Sequence, residues 1–493
     1  MEIQFEEQKA NGYFNLSRLT KKAQVAMESV VPDTKDDIGR ILSVRPELYL
    51  KSKDWRERGA TVSGEAVATV LYINENETAV SYVRMTQIFT LDYELPSSDG
   101  ELQLQIRLFP GSVQARAINP RKLSADMEIN GELLVSTAGE YCVSQQLPPD
   151  CCAPVHMRST ELKSVQVTSI CEKSFFVNEQ LLFPEELPPV REILTKEYRF
   201  QLDDKQNVGS RLLMKGQLRT KLLYLPEEGA WPCYHEFSIP VSQLVDLGTE
   251  DAEVCEVQIV PTSDYLVLLD GVDGPQMLDL DLHALAQVRA MKTQSLTLVS
   301  DAYSNKFPCT LQCVDRNVLE QRQIRRVFLR GEERVELPDA FEELLTVYAG
   351  LGACTADQGS INLDLLCRSR DGNLFAIRRS LKLIGADTDE NLFTSSFQIN
   401  AVDTQIIDGY LEIGAVVEGD AVEEQSQQTR QVVTITLDEE KAYDSAFYPS
   451  LTAVWGKTES VWELAKYYHS SPESMIALNA DLEAQPLFVP KSD

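Results

Sequence analysis

Chemistry needs a nucleophile, a base or a bound ion, and this chain offers few such groups at spacings that would serve. Only four histidines, His156, His235, His283 and His469, could act as general bases near neutral pH. His283 alternates with leucines on the polar side of a strand pattern, His469 falls between two helical patterns, and His156 and His235 stand beside loop-like segments. A solvated or structurally hydrogen-bonded imidazole is the preferred reading for each. The ten cysteines, at positions 142, 151, 152, 171, 233, 255, 309, 313, 354 and 367, supply no paired CxxC of the kind that holds zinc. Cys309, Cys313 and His283 make one loose cluster, which is better read as small buried thiols than as a metal site. The chain lacks GxxxxGK[ST], HExxH, GxSxG and GxGxxG, so a phosphate loop, a zincin site and a serine-hydrolase elbow all want their residues. With 76 acidic residues, carboxylate pairs occur everywhere and single out none. The expectation is a non-enzymatic protein with no catalytic residue, no metal and no cofactor.

Charge narrows the partners. The 493 residues carry 46 Lys plus Arg against 76 Asp plus Glu, a net charge of -30. Such an excess repels nucleic-acid phosphates and anionic membrane surfaces. A 43% apolar content is that of a folded protein. The start, MEIQFEEQKANGYF, has no signal-peptide layout, and no run of about 18 apolar residues could span a bilayer. A cytoplasmic protein with reduced thiols and no membrane span is expected.

The elements that must position any site follow from an internal repeat. A shift of 152 places Val25 on Val177, Pro32 on Pro184, Ile41 on Ile193 and Leu42 on Leu194. The same shift lays TVSGEAVATVLYI (61–73) over LMKGQLRTKLLYL (213–225), matching Gly64 with Gly216, Leu71 with Leu223 and Tyr72 with Tyr224. ERVELPDAFEELLTV (333–347) and INLDLLCRSRDGNL (361–374) form a fainter, shortened third copy. Within the copies apolar residues alternate with polar ones, as in Leu102, Leu104, Ile106 and Leu108, which predicts antiparallel strands with one packed and one wet face. The two glycines inside strand patterns read as bulges or close backbone approaches. Tyr72 and Tyr224 read as aromatic anchors with a hydroxyl at the rim.

From Glu418 the composition turns acidic and Gln-rich, and residues 418–447 read as a self-repelling tether. The period then changes. Val461, Leu464, Ala465 and Tyr468 fall at helical spacing, and Ser471, Pro472 and Glu473 open a second helix that runs to Asn479. LTAVW (451–455) and LFVP (487–490) flank the pair as strands. Trp462 is read first as core with Ala465 and Leu478, and Tyr467 as the exposed member of the Tyr467–Tyr468 pair.

This last segment resembles a LysM domain. The family's opening motif, first helix, second-helix end and closing Ile-Pro correspond here to Glu459, Ser460, Val461 and Trp462, to Leu464, Ala465, Lys466 and Tyr468, to Leu478 and Asn479, and to Val489 and Pro490. Thr458 stands where the family has glycine, and Gly456 comes two residues early. Upstream, VVPDTKDDIGRIL (30–42), the strand from Gly64 to Tyr72 and INPRKLSADMEING (118–131) resemble SPOCS repeats of bacterial spore coat assembly proteins. Such repeats followed by one LysM domain are the layout of SipL-like coat morphogenetic proteins. The resemblance implies a mainly β fold, with SPOCS-like repeats at 1–156, 157–312 and 313–417, a tether at 418–447 and a βααβ LysM domain at 448–493. It implies a scaffold that docks the coat's basement-layer ATPase on the mother-cell side of the forespore surface. The docking surface would draw on Lys457, Trp462, Lys466, Tyr467, Ser470 and Glu473. The alternative it carries is a binder of peptidoglycan, since LysM domains elsewhere cradle N-acetylglucosamine chains. Open strand edges add self-association as a further expectation.

Overall fold

The computed structural model describes the whole chain except residues 57, 229–230, 270–275, 356, 386–391, 445–448, 456–459, 483–484 and 492–493. It is mainly β, and its sheets are antiparallel throughout. One six-strand order occurs three times. The first unit holds β2 (Glu6–Val30), β3 (Ile38–Arg56), β4 (Gly59–Asn74), β5 (Val80–Glu94), β6 (Leu102–Asn119) and β7 (Lys122–Gln146). The second holds β8 (Val155–Leu182), β9 (Val190–Val208), β10 (Arg211–Pro226), β11 (Cys233–Asp246), β12 (Val254–Leu269) and β13 (Met277–Ser304). The third holds β14 (Cys309–Glu336), β15 (Phe341–Cys354), β16 (Gln358–Ser369), β17 (Leu374–Gly385), β18 (Leu392–Ile407) and β19 (Tyr410–Leu437), and a short β1 (Glu2–Gln4) pairs with β19.

In every unit the first and last strands pair, the fifth lies on the other side of the last, and the middle three form a meander. Meander and long strands close over one apolar core, as where Val70, Tyr72, Val83 and Met85 meet Met127, Ile129 and Leu133. Gly64 and Gly216 each sit at a register shift. A Cβ on Gly64 would come 2.7 Å from the Tyr49 carbonyl oxygen, and one on Gly216 would strike the Gln201 carbonyl, so both bulges require glycine. Tyr72 is fully buried and its hydroxyl donates to the Asp36 carbonyl at 3.0 Å, whereas the equally buried Tyr224 hydroxyl has no partner.

Two expectations change here. Residues 418–437 are not a tether. They belong to β19, which pairs with β14 from Cys309 opposite Leu437 to Glu336 opposite Tyr410. Two features of the tertiary structure support the strand: Arg322 pairs with Glu424 opposite it and Arg325 lies 4.0 Å from Glu423, while Val432, Ile435 and Leu437 bury in an apolar cluster. The third six-strand unit accordingly spans 309–437 rather than 313–417. Its meander strands have 14, 12 and 12 residues against 19, 16 and 15 in the first unit, which accounts for the shortened spacing in the sequence.

The second change concerns the wet face. At the end of β4 every residue is buried, because Val70 and Tyr72 fill the unit's own core while Leu71 and Ile73 point the other way. Leu71, Leu223 and Leu366 from the three units meet there with Leu42 and Leu194, in an apolar junction between units. Leu223→Ala should therefore cost about 2–5 kcal/mol in urea unfolding, whereas truncating the exposed Ile88 to Ala should stay within about 0.5 kcal/mol. Equal small effects at both positions would remove the junction as a source of stability.

Candidate docking site of the C-terminal module

After β19 come β20 (Leu451–Val454), α1 (Val461–Tyr467), α2 (Pro472–Leu478) and β21 (Leu487–Pro490), with β20 and β21 paired. Each helix starts where its cap places it. The Ser460 hydroxyl accepts from the Glu463 amide at 3.3 Å, and the Ser471 hydroxyl accepts from the Ser474 amide at 3.2 Å, with Pro472 at the first helical position. Asn479 closes α2 by donating to the carbonyls of Met475 (2.7 Å) and Phe488 (2.8 Å) and accepting from the Phe488 amide (2.8 Å). Val454, Leu464, Ala465, Met475, Leu487 and Val489 form the buried centre.

That centre does not end with the module. Tyr303, near the end of β13, belongs to the same cluster, meets the Trp462 ring edge-on at 5.0 Å and donates its hydroxyl to the Ser470 carbonyl at 2.7 Å. Two residues earlier, the Asp301 carboxylate accepts from Trp462 Nε1 at 2.8 Å and from Lys466 Nζ at 2.7 and 2.8 Å. From β8, Arg158 pairs with Glu463 at 3.3 Å and lies 5.6 Å over the Trp462 ring, and His156 stands 3.5 Å from Glu473. On another side His469 stacks on Tyr443 at 3.7 Å. The module is clasped to the second unit rather than held away from it.

The residues expected to receive a partner divide accordingly. Trp462 and Lys466 converge on Asp301, and Glu473 faces His156 while remaining exposed. Ser470 is fully buried, its hydroxyl donating to the Pro490 carbonyl, so its side chain is not offered to a partner. Tyr467 is 69% exposed, with Tyr468 partly buried beside it. Lys457 lies outside the described residues. Trp462 does pack against Ala465, but Leu478, its other expected neighbour, is exposed. Asp301, Tyr303, Arg158 and His156 carry no motif, and no signal in the sequence tied them to helices about 160 to 320 residues downstream.

Charge and burial act together on these groups. Burial opposes ionisation of Asp301, yet hydrogen bonds from Lys466 and Trp462 and the ammonium charge outweigh it and hold the carboxyl below its ordinary 3.8. Burial lowers His156 below 6.5 against the pull of Glu473, and burial also lowers His469. Elsewhere, Cys309 and Cys313 pack with Val299 and Ala302, while His283 turns to Asp281 at 3.3 Å, so the loose Cys–His cluster is not assembled. Among the described residues no helix is long and apolar enough to cross a membrane. The chain matches no family model, and no curated protein is similar enough to count as a match.

Asp301→Asn removes the charge from a bonded pair and should cost the clasp about 1.5–3 kcal/mol. Amide exchange over 461–478 should accelerate while 122–146 is unchanged; equal protection in the variant would reject the clasp. The sign with pH is set by lowered values. The Asp301 contribution is complete above 3.8 and is lost as pH falls through its depressed value, and those of His156 and His469 are complete above 6.5 and fade below it. Module protection should then be flat from neutral to alkaline pH and decline in acid.

Proposed function

We propose that the chain is a non-enzymatic scaffold whose three β units form the body and whose C-terminal module, a LysM-like βααβ unit, docks a protein partner. This is the arrangement of SipL-like SPOCS-repeat proteins, and on this reading the partner is a coat basement-layer ATPase met on the mother-cell side of the forespore surface. The observation that carries it is the module's exposed apolar surface. With Trp462 and Lys466 held by Asp301, the same small module still exposes Trp455 (68%), Tyr467 (69%), Ile476 (54%) and Leu478 (47%). Large apolar and aromatic side chains concentrated on one small module are what a protein partner buries, and tyrosine and tryptophan are the usual anchors. On this reading the docking surface draws on Tyr467 and the module's other exposed side chains, Glu473 included, rather than on the buried Ser470.

Removing residues 448–493 should abolish capture of the basement-layer ATPase and leave the strand signal of the body intact by circular dichroism. Tyr467→Ala in the full chain should weaken capture at least tenfold, a loss of about 1.4 kcal/mol or more. Full capture by the truncated chain would reject the proposal. Sedimentation with purified sacculi that depends on the module would favour the glycan alternative.

A further inference from the structure

Where the three units meet, the apolar junction gives way to a polar cavity of about 460 Å³, within the usual size range of small-ligand sites. Strand register places corresponding residues around it. Arg45 pairs across the ladder with Thr69, two residues before Leu71; Glu197 pairs with Lys221, two before Leu223; Tyr348 pairs with Asp364, two before Leu366. One structural position in each unit is thus arginine, glutamate or tyrosine, and all three line the cavity. Arg45 is 8% exposed, its guanidinium lies 3.2 Å from the centre of the Tyr348 ring, and its Nε and Nη1 are buried without a hydrogen-bond partner. A buried guanidinium with unused donors is costly unless something accepts from it. Burial pushes its pKa down to about 10, against the opposing pull of Tyr348, Asp364 and Glu197, and it stays charged at neutral pH.

The lining is also the reverse of the chain in charge. Arg45, Lys196, Arg199 and Lys221 face Glu47 and Glu197, four basic groups to two acidic, in a protein with 46 basic and 76 acidic residues. Lys196 is committed to the buried Asp264, and Glu47 to the Tyr49 hydroxyl at 2.6 Å and to Arg84 at 3.4 Å. Lys221 reaches Glu236 only at 3.9 Å and is 43% exposed at the side chain. Tyr49, Tyr198, Tyr234 and Tyr348 add aromatic surface.

We propose that this cavity is a binding site for a small oxyanion, a carboxylate or phosphate group, which takes hydrogen bonds from the buried Arg45 guanidinium and charge from Lys221 at the rim. Arginine suits this task because its fixed donors match the oxygens of both groups. Occupancy would tie the three units together, since β3, β9 and β15 each supply part of the wall.

The test uses the full chain in two arms at constant ionic strength, with sodium phosphate or sodium succinate replacing chloride. Thermal unfolding and calorimetric titration should show saturable binding in one arm, and the arm that responds identifies the source of the oxyanion. Arg45→Gln should weaken the affinity at least tenfold and Lys221→Gln about three- to tenfold. No saturable binding in either arm overturns the site, as does unchanged affinity in a folded Arg45→Gln. If Arg45→Gln does not fold, Lys221→Gln decides: its side chain is half in solvent, and unchanged affinity there overturns the site equally.

Discussion

The body depends on one burial constraint: the middle strand of each unit must be apolar on both faces where the three units meet. Leu71, Leu223 and Leu366 point away from their own cores and bury in the junction between units, at 2%, 5% and 7% exposure. A β layer with one wet face would expose them, at a cost of roughly 1.5–3 kcal/mol for each side chain. Burying them brings β3, β9 and β15 together, and the polar residues of those strands go with them. The cavity, with Arg45 Nε and Nη1 buried and unbonded, adjoins the leucines that lie two residues beyond the ladder partners of Arg45, Glu197 and Tyr348.

Polar contacts then set how the units meet. The Gln287 side chain donates to the Ile106 carbonyl at 2.7 Å and accepts from its amide at 2.8 Å, as a paired strand would. Arg289, almost wholly buried, donates to Asn15 at 2.8 Å and to Ser136 at 2.9 Å. Gln431 reaches Ser144 at 2.7 Å between the third unit and the first. Buried groups of this kind lose more when a partner is removed than they add when satisfied, so they favour one arrangement over slipped ones. The clasp at Asp301 follows the same logic on a smaller scale. It joins a module with little core of its own to a strand end that supplies Tyr303 as an additional core residue.

Local features were legible in the sequence because short-range physics decides them. Period-two alternation, the two bulge glycines and the Ser471–Pro472 helix start depend on residues within one strand or one turn, and the repeat is a recurrence of such local patterns. The error at 418–437 is instructive. Charge composition describes a segment alone, whereas β19 depends on its partners: Arg322 and Arg325, about 100 residues upstream, meet Glu424 and Glu423, and Val432, Ile435 and Leu437 find a core to bury in. The surroundings of Ser470 and Lys466 were not legible for a related reason: Ser470 is buried with its carbonyl accepting from Tyr303, and Lys466 is held by Asp301, and both partners come from β13.

By itself the sequence determined that the chain is mainly β, repeated, acidic overall and ended by two short capped helices, because periodicity, caps and charge are properties of neighbouring residues. Only the tertiary structure decided that the third unit extends to Leu437, that the last module is clasped rather than tethered, and that Arg45 lines a cavity with two of its donors, Nε and Nη1, buried and unbonded. Those outcomes rest on pairings between residues far apart in the chain, whose energies exist only once loop closure has brought them together.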